Sequence, residues 1–468
     1  MIKKVITLTK PLFFLLFIST HLIPTRVFCS SAEIPDVPSI ATYFGTKTRY
    51  EEVKPNLLRD PLTVNTSVLR PPPGEFCTPF HVTAVIRHGS RFPTVKNIRR
   101  IHRLSELLQN EASRTSESPT GWLDELRNRW EPWYTEDMDG RLVMKGREDL
   151  QFLAQRLATL LPSLLSEENV RKRRIHFVTS SKHRCVSSVE AFQEGLHNDI
   201  ADGYNYEVDD ELMRFFERCR GYVEGVENNH TALLEVEKFK HGEEMQAVRK
   251  RLKGNVPFDL FFPFRALLDL VEAAFFICSY ELSIKSIHSP WCFLFDESDA
   301  KVLEYSFDLK QFWKRSHGHL ISSLSSCPLF HHIFRTLDKA GRPRRWGPEP
   351  ASVLVGHAET LIPLISLLGL YKDQTLTITA HLSVGRSFRT SHIIPYAANL
   401  LFVLYDCQRG PRLQLLINET PLHFPNFQTE DAPLYRDVRA AYRYLLDGCD
   451  FNRECERKPE GRGPNTEL

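Results

Sequence analysis

The sequence predicts an α/β fold: a mostly parallel central sheet flanked by helices, with an inserted, mainly helical second domain. Two observations predict it. Short runs of apolar and β-branched residues, typical of buried strands, alternate with longer segments of helical periodicity. The stretch from Val186 to about Lys339 shows helical patterning throughout and no strand alternation. With 468 residues, the chain is long enough for two or three domains or one large elaborated domain.

Five segments are predicted to be strands. Residues 81–86 are almost all apolar or β-branched, the composition of a buried strand. Residues 175–180 and 352–355 have the same character, and two further strands are predicted within HIIPYAANLLFVLYDC and RLQLLINET. Because helical segments separate the first three, a parallel arrangement is expected for them.

Helical periodicity dominates two regions. Between residues 98 and 165, a helix with one buried face is predicted, because apolar residues recur there at three- and four-residue spacing: Leu150, Leu153, Ala154, Leu157 and Leu161. The inserted region is rich in aromatic residues that we expect to form core: Phe215, Phe216, Phe261, Phe262, Phe275 and Phe276.

These patterns divide the chain into six segments. They are a signal peptide at 1–30, an extended lead-in at 31–75, the first part of the α/β domain at 76–190, the helical insertion at 191–340, the second part of the α/β domain at 341–450, and a C-terminal tail at 451–468. The breaker-rich stretch GRPRRWGPEPA marks the return from the insertion to the α/β domain.

The N-terminus is predicted to be a secretory signal peptide, cleaved near residues 28–32. Lys3 and Lys4 precede the apolar run PLFFLLFIS, and small residues surround Cys29. A retained membrane anchor is the alternative, but prolines and polar residues leave the run well short of the ~20 residues that a span needs. No later stretch of the sequence is long and apolar enough to span a membrane. Because of the signal peptide, we expect a protein of the secretory pathway.

Ten cysteines in such a chain are candidates for disulfide bonds. Loss of Cys29 with the signal peptide leaves an odd number, so at least one thiol is expected to stay free. Cys449 and Cys455 are close enough for a local bridge, and other pairings stay open. Neither Cys-x-x-Cys nor His-Glu-x-x-His occurs, so no metal site is expected.

Charge and glycosylation signals limit the kinds of partner. The formal net charge is +2, which gives no reason to expect nucleic acid or a membrane surface as a partner. Any specificity for anions must therefore come from local clusters. Sequons at Asn65, Asn229 and Asn418 predict N-glycosylation, which fits a lumenal or extracellular protein.

Three of the predicted strands end in loops of charged and imidazole side chains. The loops are Arg87-His88-Gly89-Ser90-Arg91, Lys182-His183-Arg184 and His357-Ala358-Glu359. Because the carboxyl ends of parallel strands meet at one edge of a sheet, we expect the three loops to form one site. A lone histidine after a strand is more often structural, but three loops with complementary chemistry favour an active site.

Phosphoryl transfer is the chemistry that these residue types favour. A phosphomonoester dianion repels nucleophiles, and arginine neutralises it with planar, bidentate donors, a role for Arg87, Arg91 and Arg184. His88 suits the nucleophile, because an imidazole with an ordinary pKa of ~6.5 is available uncharged near neutral pH and can form a phosphohistidine. His357 would be a further donor to the phosphate oxygens.

Glu359 is the carboxyl in place to protonate the leaving alkoxide. A glutamate in the first turn of a helix and near cations should have a lowered pKa, whereas bound phosphate should raise it. We therefore expect activity to fall as pH rises through the range in which Glu359 loses its proton in the complex. No cofactor is expected, because the arginines replace the usual cations.

The first of these loops resembles a known family signature. RHGSRFP, residues 87–93, is similar to the Arg-His-Gly-x-Arg-x-Pro signature of histidine acid phosphatases. The second motif, His357-Ala358-Glu359, departs from the His-Asp of the commoner branch and resembles the multiple inositol polyphosphate phosphatases. Similar segments, among them SKHRCVSS, ELMRFFERC and AKVLEYSFDLKQFWKRS, extend the likeness from about Pro72 to the C-terminus.

The resemblance implies an α/β domain and a helical domain with a phosphate site between them. It implies His88 as nucleophile and Glu359 as proton donor, the latter on a side chain one methylene longer and one position later than in the His-Asp branch. The implied phosphate ligands are Arg87, Arg91, Arg184 and His357.

The implied substrates are inositol hexakisphosphate and lower inositol polyphosphates, with 2,3-bisphosphoglycerate as a further candidate. Lys96 and Lys182, beside two of the loops, are candidates for contacts to phosphates that are not being cleaved; ordinary surface lysines are the alternative. A broader acid phosphatase, a mutase of the same superfamily and a catalytically silent lumenal binding protein are the rival interpretations.

The C-terminal sequence Asn465-Thr466-Glu467-Leu468 is similar to retrieval signals of the Lys-Asp-Glu-Leu type. Together with a signal peptide, it predicts the lumen of the endoplasmic reticulum and a retrieval receptor as partner. Secretion is the alternative.

Overall fold

The computed structural model describes residues 37–112, 120–197, 203–255, 266–341, 349–372, 376 and 385–456. The predicted signal peptide, Phe261 and Phe262, and the C-terminal retrieval-like sequence lie outside these residues.

A seven-stranded mixed sheet forms the centre of the α/β part. Its strands are Cys77–Arg87 (β1), Ile175–Thr179 (β2), Glu207–Val208 (β3), Ala351–Gly356 (β4), Asn399–Cys407 (β5), Arg412–Ile417 (β6) and Thr420–Leu422 (β7). The order is β3-β2-β4-β1-β5-β6-β7. β3, β2, β4 and β1 run parallel, and β5, β6 and β7 add an antiparallel meander.

The meander follows from the short connections at this end of the sheet. β5 and β6 are joined by residues 408–411, which is too short for the crossover that a parallel pair needs. The strands predicted from composition are all present, and the α/β class with a helical insertion is confirmed. The sheet is mixed where the sequence predicted mostly parallel strands.

Among the described residues, eight helices have ten or more residues. They are Val95–Ala112 (α1), Met144–Leu160 (α2), His183–Leu196 (α3), Glu243–Asn255 (α4), Ala266–Lys285 (α5), Glu297–Arg315 (α6), Cys327–Ala340 (α7) and Ala358–Leu367 (α8). Shorter α-helices span Tyr50–Val53, Trp122–Asn128, Glu167–Arg171, Asp210–Met213, Phe215–Arg218, Arg220–Tyr222, Leu234–Lys240, Leu320–Leu324, Thr390–Ile393, Tyr435–Ala441, Arg443–Gly448 and Phe451–Glu456. Single 3-10 turns and one π-turn are Ala41–Tyr43, Gly45–Lys47, Pro55–Leu58, Thr66–Val68, Glu136–Met138, Val223–Glu227 (π), His230–Leu233 and Pro290–Leu294.

The sheet is buried on both faces. Alternate residues of β1 belong to two different cores: Val85 packs with the inserted helices, whereas Ala84 and Ile86 pack against α2 and α3. The α2 face predicted from three- and four-residue spacing lies in the second core, with Leu150 and Leu153 fully buried. Burial on both faces explains why these strands read as continuous apolar runs.

The lead-in before β1 is not extended, contrary to the prediction. Residues 41–68 form a series of short helical turns, and Ile40, Phe44 and Tyr50 are buried in the two cores. Proline, threonine and charged residues are common in short turns as well as in extended segments, and the isolated aromatic residues give no regular period. The segment is therefore part of the packed structure, and it reaches the site described below.

Four disulfide bonds link Cys77 to Cys407, Cys219 to Cys455, Cys278 to Cys292 and Cys327 to Cys449. Cys185 is a free, buried cysteine, so the expectation of a free thiol is confirmed. The local bridge between Cys449 and Cys455 was wrong. Cys449 follows one short helix and pairs with the start of α7, whereas Cys455 lies on the next helix and packs with Cys219 and Tyr222.

The three sequons differ in exposure. Asn65 is exposed and Asn229 is half-buried. Asn418 is buried, and its side-chain nitrogen, which a glycan would occupy, donates to the carbonyls of His392 at 2.8 Å and Ile393 at 3.1 Å. The predicted glycan at Asn418 is therefore incompatible with this packing, a correction that the tripeptide alone could not give. Among the described residues, every helix is too short or too polar to cross a membrane.

Candidate active site

The parallel strands bring the three predicted loops together. Arg87 lies opposite Gly356 in the register of β1 and β4, and the backbone N–H of His88 donates to the Gly356 carbonyl at 3.0 Å. The rings of His88 and His357 are consequently 5.7 Å apart, centroid to centroid. β2 lies on the other side of β4, and α3 begins after it at His183, which places Arg184 in the first turn of that helix.

The loop after β1 is held tightly against α2 and α3. A Cβ on Gly89 would lie 2.1 Å from the Gly146 carbonyl oxygen, so the backbones meet here and only glycine fits. The Gly89 N–H donates to the Ser188 hydroxyl at 3.1 Å, and the Ser90 hydroxyl donates to Asp149 at 3.1 Å. The glycine thus serves close packing between backbones, as well as leaving space beside the imidazole.

His88 is held as a neutral imidazole with one defined acceptor nitrogen. Its side chain is buried, and Nδ1 lies 2.9 Å from the Gly89 carbonyl oxygen, which can only accept a hydrogen bond. Nδ1 therefore carries the hydrogen, and Nε2 keeps its lone pair. Burial, followed by the positive charges of Arg87 and Arg184, holds the pKa of His88 well below its ordinary value. The residue is ready to act as a nucleophile without first losing a proton.

The positive charges of the three predicted arginines, Arg87, Arg91 and Arg184, all act on this imidazole. Arg87 is buried, donates to the carbonyls of Thr46 at 2.7 Å and Ile394 at 2.8 Å, and stacks 4.7 Å above the Tyr396 ring. Burial lowers the pKa of Arg87 to about 10, so it stays charged at neutral pH.

Four guanidinium groups of the site have unused donors. The Nε atoms of Arg87, Arg91, Arg184 and Arg315 are buried and have no hydrogen-bond partner among the described residues. A buried cationic donor without a partner costs free energy, and an anion in the site would satisfy it. The arrangement is therefore suited to an oxyanion with several acceptor oxygens.

His357 is buried at the N-terminus of α8, and its Nε2 lies 2.8 Å from the Ser180 hydroxyl. The free thiol of Cys185 contacts the same ring, with Sγ 3.6 Å from Nδ1. Burial, together with the charge of Arg184, lowers the pKa of His357 to about 3. The ring is neutral at neutral pH and offers one N–H donor.

Glu359 lies in the first turn of α8 and forms an ion pair with Arg315, whose Nη2 is 3.1 Å from Oε1. Burial by itself raises the pKa of this carboxyl, but the Arg315 guanidinium above all, and the other nearby positive charges, outweigh burial and hold the pKa well below its ordinary value. The lowered pKa agrees with the expectation from its helical position and the surrounding cations.

The structure adds residues that no sequence motif marks. Lys47, from the lead-in, stacks 3.6 Å above the Phe276 ring, and burial together with the charge of Arg91 lowers its pKa well below the ordinary value. Tyr280 of α5 lies close enough to Arg91 for its positive charge to oppose the burial that raises the pKa of Tyr280 to about 12. Arg315 ends α6 and pairs with Glu359. These residues are far from the loop motifs in sequence, and no local signal marks them.

Two predicted residues are not drawn into the site. Lys96 and Lys182 are exposed at the edges of the loops, so their role as substrate contacts stays a prediction.

The described residues contain one group whose ligand atoms are close enough for a metal ion, namely Glu75, Cys77 and Cys407, but the two cysteines form a disulfide.

Known sequences resemble this chain over most of its length. A family model described as histidine phosphatase superfamily (branch 2) matches residues 80–418. Multiple inositol polyphosphate phosphatase 1 of Homo sapiens is 43% identical over 475 residues, which cover 94% of each chain. The protein of the same name from Gallus gallus is 42% identical over 449 residues, covering 92% of this chain and 97% of the other.

Solved structures share the fold. The phytase from D. castellii superposes with a TM-score of 0.72 at 18% identity, covering 90% of this chain and 88% of that one. The multiple inositol polyphosphate phosphatase of Bifidobacterium longum, in complex with inositol hexasulfate, gives a TM-score of 0.63 at 14% identity, covering 84% of this chain and 95% of that one.

Proposed function

The chain belongs to branch 2 of the histidine phosphatase superfamily, and on that premise we propose that it hydrolyses inositol polyphosphates through a phosphohistidine intermediate. Inositol hexakisphosphate and its lower forms are the proposed substrates, with 2,3-bisphosphoglycerate as a further one. The relatives that match nearly the whole chain carry the name multiple inositol polyphosphate phosphatase, which supports this substrate class.

One observation carries the proposal. A neutral imidazole with a free Nε2 lies among guanidinium groups whose buried Nε donors have no partner in the described part of the chain. Unpaired cationic donors favour a multiply charged oxyanion, and the imidazole supplies a nucleophile where that anion would bind. A phosphate monoester meets both requirements.

The first step transfers the phosphoryl group to the protein. Arg87, Arg91 and Arg184 neutralise the phosphate, and the His357 N–H exchanges its present contact with Ser180 for one of the phosphate oxygens. His88 Nε2 attacks phosphorus in line, the P–O bond to the inositol ring breaks, and its electron pair goes to the leaving oxygen. Glu359, in its protonated form, gives that oxygen its proton.

The second step regenerates the enzyme. The Glu359 carboxylate accepts a proton from water as the water oxygen attacks phosphorus, and the P–N bond breaks with its electron pair returning to His88 Nε2. Inorganic phosphate is released, and Glu359 is protonated again. The residue thus acts first as acid and then as base, and no group beyond this chain and water enters the balance.

The proposed location is the lumen of the endoplasmic reticulum, with a retrieval receptor as partner. Four disulfide bonds fit an oxidising compartment. The predicted signal peptide would direct the chain into the secretory pathway, and the retrieval-like C-terminus would return it to the endoplasmic reticulum. If that C-terminus is ineffective, the protein is secreted.

The test is phosphate release from inositol hexakisphosphate by the wild type and by His88→Ala. We expect the variant to lose activity by at least about 10³-fold, because the covalent step has no other nucleophile. His241→Ala is the matched control, since His241 is exposed and bonds to its own helix, and it should behave as wild type. Equal release by wild type and His88→Ala would refute the phosphohistidine mechanism.

Substrate profiling separates the rival functions. The proposed enzyme prefers inositol hexakisphosphate to an aryl phosphate, whereas a broad acid phosphatase would prefer neither or the reverse. A catalytically silent binding protein would release phosphate from no substrate. Labelled phosphate bound to the chain after an alkaline quench, lost in His88→Ala, would identify the intermediate directly.

A further inference from the structure

Arg315 restrains the residue assigned as proton donor. Its Nη2 binds Glu359 Oε1 at 3.1 Å, its Nη1 donates to Gln311 Oε1 at 3.0 Å, and its buried Nε has no partner among the described residues. The pair with Glu359 therefore uses one donor, while another donor of the same group stays unused. An arginine in this state can bind a second anion that offers better geometry.

The two members of the pair differ in exposure. The Arg315 side chain is 14% exposed and the Glu359 side chain 35% exposed. A ligand that reaches the carboxylate from solvent therefore also reaches the guanidinium bonded to it. By contrast, the preceding cation, Lys314, is already paired with Glu227 at 2.5 Å and has no bond to Glu359.

The charge around Glu359 opposes its proposed role. The cations that act on it come from the end of β1 and the loop after it, from α3 and from the end of α6: Arg87, Arg91, Arg184, Lys314 and Arg315. Tyr222, Cys185 and His357 face it as neutral groups, and the Glu227 carboxylate acts on Arg315. Arg315 lowers the pKa of Glu359 more than any other of these groups, yet a general acid must carry a proton.

We propose that Arg315 is a positioning residue that couples Glu359 to the substrate: a phosphate next to the scissile one binds the guanidinium and releases the carboxyl to take a proton from solvent. The inference rests on the proposed function and deepens it, because it names how the site distinguishes a polyphosphate from a monophosphate.

Substrate chemistry supplies the reason for the exchange. In a vicinal polyphosphate, the neighbouring phosphate is on the carbon next to the one that bears the leaving oxygen, and Glu359 must lie at that oxygen. A phosphate dianion offers two oxygens to a guanidinium and more charge than a carboxylate. Loss of the Arg315 pair and the added negative charge both raise the pKa of Glu359, so the carboxyl binds a proton at higher pH.

The experiment compares Arg315→Gln with wild type on three substrates. These are inositol hexakisphosphate, glycerol 2-phosphate, and p-nitrophenyl phosphate, whose phenolate leaves without protonation. The readout is the basic limb of the kcat–pH profile, which reports the acid in the enzyme–substrate complex. In wild type we expect this limb to lie about one pH unit higher for inositol hexakisphosphate than for glycerol 2-phosphate.

In Arg315→Gln, the basic limb of the kcat–pH profile for glycerol 2-phosphate should shift up to the pH at which it lies for inositol hexakisphosphate. The kcat for glycerol 2-phosphate at neutral pH should increase about tenfold. Arg315→Lys keeps the charge and should retain the separation of the limbs. Lys314→Gln removes a neighbouring charge that is bonded elsewhere and should leave the separation as in wild type.

The inference would be overturned if Arg315→Gln raised only the KM for inositol hexakisphosphate and left the basic limb of the profile for glycerol 2-phosphate at its wild-type pH. Arg315 would then be a simple substrate contact. Coincident limbs in wild type would overturn it too. Turnover of p-nitrophenyl phosphate shows that a variant is folded and forms the intermediate. If wild type turns over none of the three substrates, the proposed function fails instead, so the two failures are distinguishable.

Discussion

Replacing Gly146 by alanine tests whether the position of the loop that carries His88 depends on the start of α2. An added Cβ would lie 2.1 Å from the Ser90 carbonyl oxygen and 2.7 Å from its nitrogen. Carbon and oxygen atoms in contact stay roughly 3.3 Å apart, so the loop and the helix must separate by about 1 Å. Backbone atoms form this contact, so no side-chain rotation relieves it.

The expected result is a large loss of activity from a residue with no assigned chemical role. Misplacing a reacting group by about 1 Å costs about 100-fold in rate, and overpacking should cost about 1–3 kcal/mol of unfolding free energy. We expect kcat for inositol hexakisphosphate to fall about 100-fold, measured by phosphate release, with a lower thermal midpoint.

Gly448→Ala is the matched control, because nothing lies within 4 Å of a Cβ at that position. Its kcat and thermal midpoint should match wild type. Wild-type kcat in Gly146→Ala would refute the reasoning, since it would show that the loop tolerates the displacement or that its position does not limit the rate.

Two further predictions concern stability. Glu304 is buried and accepts a hydrogen bond from Arg389 at 3.0 Å. Glu304→Gln should therefore lower the free energy of unfolding by about 3 kcal/mol, measured by denaturant titration. Glu297 is exposed on the same helix, and Glu297→Gln should leave the free energy of unfolding unchanged. The Cys219–Cys455 bridge joins residues 236 apart in sequence, whereas the Cys278–Cys292 bridge joins residues 14 apart. Replacing both cysteines by serine should lower the free energy of unfolding by about 5 kcal/mol for the first bridge and by about 3 kcal/mol for the second. Equal losses for the two bridges would contradict the chain-entropy argument.

Local patterns were sufficient for the elements that carry the site. Composition located five of the seven strands and missed the short β3 and β7. The residues that follow β1 and β4 were expected to meet because parallel strands end at one edge. The structure places His88 and His357 side by side, as that rule requires. The direction of the Glu359 pKa shift was expected from its place in the first turn of a helix and from the cations of the motifs, but Arg315, which the sequence did not mark, lowers this pKa most.

Pairings between distant segments were not predictable. Cys449 and Cys455 are neighbours in sequence, but the turn between their helices points them to different partners. Asn418 matches a sequon, yet its burial depends on packing against residues 392 and 393. A tripeptide or a spacing carries no information about such long-range contacts.

The sequence by itself determined the loop that carries His88, the arginines beside it and the alternation of strands and helices, because each depends on residues adjacent in the chain. Only the tertiary structure decided which other groups lie beside these residues and act on their pKa values. Lys47 comes from a lead-in that looked extended, and Arg315 comes from the far end of α6 to hold Glu359. The physical reason is that a pKa and an unused donor depend on charges and burial in space, and folding brings those charges from segments far apart in the chain.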